Sequence, residues 1–318
     1  MTSFTSQNSN VTQDLVQGQK TFTATYKIWS LLCLPSGAKP STVEFAVHGI
    51  NFDHSYWNFG GEGSQYNYVD AAVGAGHAVF IYDRLGISES SKPDGIKEVQ
   101  ENIEIEVAAE LIKYIRRGAT GIPFQQIVGI GHSLGSLQLA GVAAKYGNLL
   151  NATVLTGFTP FTGAFNTAMA AFGLTIASVQ NPSRFKSLES SYLATGTISN
   201  DQQPFFLFPF FDPNVLRSAS ETKQTSTIGE YLTLGANVAS NYTNPVLVVT
   251  GDKDYIFCGG DCYQPFAGFD NLVLSAKVLF PNVAKFNYSI PANTGHAANL
   301  HFGSQNVFKT IQAWISEL

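Results

Sequence analysis

The chain has 318 residues, 44% of them hydrophobic and 13% aromatic, enough to bury a large core. Charged residues make up only 13%, and the net charge of −5 leaves no basic patch, which argues against nucleic acid as a partner. No apolar run reaches the roughly 18 residues that span a bilayer, and the polar first fifteen residues lack the apolar segment of an export signal. As written the chain reads as cytoplasmic, with secretion the second reading.

Residues 21–34 read as one or two antiparallel strands entering a sheet. Residues 43–47 (VEFAV) form the first fully apolar strand, which ends at His48-Gly49-Ile50. A helix is predicted over 66–73, stopped by Gly74 and Gly76, and a strand over 78–82. Val99, Ile103, Val107, Leu111 and Ile115 recur every four residues, one face of a long amphipathic helix. Its glutamates come early and its basic residues late, which suits the helix dipole. The strand 126–130 (QIVGI) turns abruptly at Gly131-His132-Ser133-Leu134-Gly135 into an Ala/Gly-rich helix that reaches about Tyr146. Strands at 152–156, 245–250 and 285–290 and a helix over 307–318 complete the order. Apolar strands alternating with helices point to an α/β fold with a largely parallel sheet.

Residues 160–242 are too many for a simple crossover. They are expected to be a mostly helical insertion over the sheet's carboxyl edge, where ligands bind in such folds. This divides the chain into a core of 1–159 and 243–318 and a cap, or lid, of 160–242. At its centre, 205–211, stand five phenylalanines in seven residues, read chiefly as the cap's own core and secondarily as an apolar wall. Cys258 and Cys262 are spaced either for a small disulfide loop or as two free thiols in a turn, and Cys33 is expected to be a buried core thiol. No second Cys or His pair has ligand spacing, so no metal site is expected. Asn10, Asn151, Asn241 and Asn287 head Asn-x-Ser/Thr triplets, usable only on a secretory route.

The segment 131–135 matches G-x-S-x-G at a strand-to-helix junction, the context that gives the motif meaning. The serine must project from a tight turn, and bulk at either glycine would strike the neighbouring strand or helix. A serine hydroxyl needs a base. Of the six histidines, His296 lies on a short loop after the last predicted strand, where it can reach Ser133; His301, on the helix side of that loop, is the weaker candidate. The acid follows by elimination. No Asp or Glu occurs between Leu111 and Leu188, so the strand at 152–156 cannot supply one, and the next ends in Gly251-Asp252-Lys253-Asp254. Asp254, deeper in the loop, is preferred as the partner of His296, and Asp252 as a turn cap. The oxyanion donors are expected to be the backbone N–H groups of Leu134 and Ile50.

His48-Gly49, Tyr82-Asp83-Arg84-Leu85-Gly86-Ile87-Ser88, Gly131 to Gly135, Gly251 to Asp254 and Gly295-His296 resemble, in order, the landmarks of the α/β-hydrolase superfamily. The resemblance covers about residues 40–318 and is closest in style to fungal, esterase- and lipase-like members. It implies an eight-stranded, mostly parallel sheet flanked by helices, a helical cap inserted after the sixth strand, and hydrolysis without a cofactor. Serine, not aspartate, at the nucleophile position argues against haloalkane dehalogenase and epoxide hydrolase activity. Asp83 and Arg84 are read as a loop-bracing pair.

The expected function is therefore a serine hydrolase acting on a medium-sized, mainly apolar carboxylic ester or lactone through an acyl-enzyme. The same triad serves thioester hydrolysis, carbon–carbon cleavage, acyl transfer or hydroxynitrile lysis, and the fold also serves ligand receptors without turnover.

Overall fold

The computed structural model describes residues 18, 20–37 and 39–318, so the polar start and Asn10 lie outside it. Its central sheet is built from β1 (Ser30–Cys33), β2 (Thr42–Val47), β3 (Ala78–Tyr82), β4 (Gln126–His132), β5 (Ala152–Thr156), β6 (Val246–Val249) and β7 (Phe286–Ser289). The strand order is β1-β3-β2-β4-β5-β6-β7; β1 runs antiparallel to β3 and every other neighbouring pair is parallel.

The helices that concern the site are α1 (Tyr68–Gly74), α2 (Glu101–Arg116), α3 (Leu134–Tyr146), α4 (Phe165–Phe172), α5 (Ile198–Phe205), α6 (Pro213–Thr222), α7 (Ile228–Thr233), α8 (Tyr255–Cys258) and α9 (Ser304–Ile315). Side chains of β2 alternate between two cores, as the period of two requires. Val43, Phe45 and Val47 pack with Ile105, Ala108 and Ile112 of α2 and Leu139 of α3. On the opposite face Ala46 joins Tyr68 and Val69 of α1 with Phe308 and Ile311 of α9. Glu44 is buried on that second face, but its carboxylate accepts from Tyr68, His77 and Gln312, so burial leaves it paired.

The sheet has seven strands among the described residues, one fewer than the resemblance implies. Among the described residues the chain before β1 forms no second ladder. It runs instead along the loop after β3, where Ser91 N–H donates to Lys27 C=O at 2.9 Å and Asp83 N–H to Trp29 C=O at 3.1 Å. Among the described residues the long segment 157–245 follows the fifth strand of the sheet in chain order.

Between β5 and β6 lie α4 to α7 and a small antiparallel sheet of Thr175–Ile176, Tyr192–Ala194 and Ser226–Thr227, which the helical periodicity gave no reason to expect. In the phenylalanine run Phe205, Phe206 and Phe211 are buried and Phe208 is exposed. Cys258 and Cys262 are joined as a disulfide. Cys33 is half-buried at the margin of the second core, not inside it, because β1 is the edge strand. Among the described residues no helix is long and apolar enough to cross a membrane.

Candidate active site

Ser133 sits between β4 and α3 with φ +57° and ψ −118°, a conformation that L-residues rarely adopt and that costs on the order of 1–3 kcal/mol. Its neighbours impose the turn. A Cβ on Gly131 would stand 2.6 Å from Gly135 O, and one on Gly135 would stand 2.2 Å from Val47 O, so neither position accepts a side chain. The turn is tied to the next strand by Ser133 N–H donating to Thr156 C=O at 2.9 Å. Leu134 opens α3, so its N–H has no acceptor within the helix. Ser133, Leu134 and Ile50 are among the residues that line a cavity of about 350 Å³. The other walls are mainly apolar: Phe161, Phe165, Met169, Phe172 and Ile256 among them.

His48 fixes the turn that carries Ile50. Arg84 N–H donates to its Nε2 at 3.1 Å, which leaves Nδ1 as the donor to Gly49 C=O at 2.9 Å. Burial pushes the pKa of His48 down to about 4, so this pattern holds at neutral pH. The next residue, Asn51, is left-handed at φ +73°, and its side chain bonds Asp201 of α5 and Thr195. Asp201 in turn pairs with Lys223 Nζ at 3.2 Å, and both are buried. The loop beside Ser133 is thus fastened to the insertion.

Asp254 and His296 meet at the far ends of β6 and β7. His296 Nδ1 and Asp254 Oδ2 are 2.7 Å apart, and both residues are fully buried. The carboxylate's second oxygen accepts Phe257 N–H at 2.8 Å and so caps α8, which fixes the orientation of the group. Nε2 of His296 is buried and has no hydrogen-bond partner. No hydrogen bond joins it to the Ser133 hydroxyl. The aromatic rings of Phe205 and Phe257, both walls of the cavity, lie 5.8 and 5.7 Å from the imidazole. Asp252 does something different: its Oδ1 accepts Thr294 N–H at 3.0 Å and pins the loop before His296.

His132 lies beside His296, with ring centroids 4.8 Å apart, and Tyr56 stacks on it at 4.3 Å. Burial, with the nearby His296 and His48, holds its pKa well below the usual imidazole value, so it is neutral. His301 has no free ring nitrogen. Its Nε2 accepts two backbone amides, Leu207 N–H at 3.0 Å and Gly295 N–H at 3.1 Å, and its Nδ1 donates to Ala297 C=O. It joins the insertion to the loop of His296.

Asp83 and Arg84 brace separate partners and do not form a pair. Asp83 accepts from His54 N–H and Nδ1, while Arg84 Nη1 reaches Glu104 of α2 at 2.7 Å and Glu230 of α7 at 2.6 Å. Sequence reasoning missed the roles of Asn51, Asp201, Glu230 and His301. The usable signal was weak: a buried-type Glu230 in the capping pattern Thr227-x-x-Glu230.

A family model described as the alpha/beta hydrolase family matches residues 45–306. The chain belongs to the α/β-hydrolase family. Solved structures share this family's fold with it. A soluble variant of monoglyceride lipase from Saccharomyces cerevisiae aligns at TM-score 0.63 and 15% identity, over 94% of each chain. A bromoperoxidase from Bacillus anthracis aligns at 0.61 and 15%, over 92% of this chain and 95% of that one. A monoacylglycerol lipase from Paleococcus ferrophilus aligns at 0.59 and 13%, over 92% and 99%. No curated protein matches this α/β-hydrolase by sequence.

Proposed function

We propose that this α/β-hydrolase is a serine esterase that cleaves a medium-sized, mainly apolar carboxylic ester or lactone through an acyl-enzyme. Ser133 is the nucleophile, His296 the general base and Asp254 the group that orients and stabilises the imidazole. The observation that carries the reading is the pairing of a serine held at φ +57° over an apolar cavity with a buried imidazole whose Nδ1 is bound by a carboxylate and whose Nε2 is free. An unpartnered ring nitrogen is the group that can accept the hydroxyl proton of Ser133 as it attacks. The Ser133–His296 hydrogen bond, absent in the free protein, forms when substrate seats the hydroxyl, as catalytic contacts commonly tighten in the complex.

In the first half-reaction Oγ of Ser133 adds to the carbonyl carbon and its proton passes to Nε2. The N–H groups of Ile50 and Leu134 receive the oxyanion; each such donor is worth about 3 kcal/mol of transition-state stabilisation. His296 then protonates the departing alkoxide. Water adds to the acyl-enzyme by the same route in reverse, and the acid leaves.

Residues 160–242 act in this reading as a cap, because α4 and its flanking loop supply most of the apolar wall. A volume of about 350 Å³ lies at the low end of the roughly 300–1,000 Å³ typical of small-molecule sites, which supports a medium-sized acyl group. Neighbours named as lipases of monoacylglycerol or monoglyceride agree with an ester as the substrate. The test is a fluorophosphonate label followed by peptide mapping, with a panel of nitrophenyl esters of graded chain length. Labelling of Ser133 and a preference for medium acyl chains is expected; an unlabelled Ser133 overturns the proposal.

A further inference from the structure

The imidazole of His296 is surrounded by aromatic rings. The ring of Phe257 lies 5.7 Å from it, centroid to centroid, and is inclined by only 23°. Phe205 stands 5.8 Å away at 45°, and His132 stands 4.8 Å away at 40°. Two of these rings are placed by the segments that carry Asp254 and His296. Phe257 N–H donates to Asp254 Oδ1 at 2.8 Å, and Ala297 N–H donates to Phe205 C=O at 2.9 Å. His132 is backed by Tyr56, stacked on it at 4.3 Å.

The proposed reaction creates a charge inside this enclosure. As Oγ of Ser133 bonds to the carbonyl carbon, its proton passes to Nε2, and the fully buried imidazole becomes a cation. Burying a charge is costly unless something compensates it. Asp254 supplies one counter-charge, at Nδ1. Burial keeps the neighbouring His132, His301 and Tyr56 neutral. Asp252, bonded to Thr294 N–H, and the exposed Lys253 flank Asp254 in its loop. The face of an aromatic ring is negative and attracts a cation within about 6 Å of its centroid, most strongly where water is excluded.

We propose that Phe257, Phe205 and His132 form an aromatic cage that stabilises the imidazolium of His296 in the transition state. All three act through His296 and are positioning residues for it. This rests on the esterase reading above.

The test changes the electronics of a ring and keeps its shape. In the full chain Phe257 is replaced by mono-, di- and pentafluorinated phenylalanine, which progressively withdraw electron density from the ring face. The same series at Phe205 is the independent arm. The dependence of kcat/KM on pH is measured with two nitrophenyl esters, and thermal denaturation verifies the fold. Expected at each position is a graded fall of the plateau, about fivefold for the pentafluorinated ring, the rate equivalent of one desolvated cation–π contact. A less stabilised cation forms only at lower pH, so the acid limb should move down by roughly half a pH unit with both esters. A ring that only packs moves neither. Plateau and limb unchanged at both positions, a plateau that falls while the limb stays, or a limb moved to higher pH overturns the cage. If Ser133 forms no adduct with a fluorophosphonate even in the wild type, the esterase reading has failed and the cage falls with it.

Discussion

At the scale of single residues, the two aspartates after β6 are separated by what they hold. Asp254 grips the imidazole of His296 and Asp252 grips the backbone of Thr294. Asp254→Asn is expected to cut kcat by about 10⁴, the loss typical when an imidazole loses the carboxylate that sets its tautomer. Asp252→Asn is expected to keep most of the activity. Steady-state kinetics on one nitrophenyl ester checks both, and an equal loss in the two variants would contradict the assignment. His301 allows a test by pH. Burial holds its pKa down to about 4, against about 6.5 in the unfolded chain. Above pH 6.5 neither state is protonated there and the residue adds no pH dependence. As pH falls from 6.5 to 4 the unfolded chain takes up a proton that the folded chain refuses, so stability declines. The shift corresponds to about 3 kcal/mol. The stability advantage of wild type over His301→Gln should shrink by up to that amount across this window, measured by urea denaturation at each pH.

At the scale of elements, the sheet was readable from the residues because most of its strands are short, largely apolar runs and the helix Glu101–Arg116 carries a clear four-residue period. The turn at Ser133 was readable for a steric reason: glycines at 131 and 135 are demanded by backbone within 3 Å of where a Cβ would stand. Whether Cys258 and Cys262 pair was not readable, because a spacing of four residues suits a turn with or without the bond. That bond closes the segment following Asp254, where Gly260 N–H also returns to Asp254 C=O and Cys262 N–H to Asp252 C=O. Replacing both cysteines by serine is expected to cost about 2 kcal/mol of stability, the chain-entropy value for so short a loop. It should also lower kcat, since the carboxylate that orients His296 rides on that segment. Denaturation midpoints and kinetics of the double variant supply the check; unchanged values would mean that the hydrogen bonds alone hold the loop.

At the scale of the whole molecule, the ties between the core and the insertion escaped sequence reading because their partners stand far apart in the chain. Arg84 and Glu230 are separated by 146 positions and Asn51 and Asp201 by 150, and nothing in local pattern links them. Arg84 meets two carboxylates in the interior, so Arg84→Met strands both Glu104 and Glu230 and is expected to cost about 3–5 kcal/mol. Adding Glu104→Gln and Glu230→Gln should restore most of the loss, which thermal denaturation of the two variants would reveal. The shared nitrogen of His301 carries a consequence for heat inactivation. One imidazole nitrogen accepts an amide of the segment between β5 and β6 and an amide of the histidine loop at once, so the opening of either removes a bond that orients the ring for the other. On warming, the exchange of the Leu207 amide with deuterated solvent should accelerate at the temperature at which turnover begins to fade, both well below the melting of the sheet.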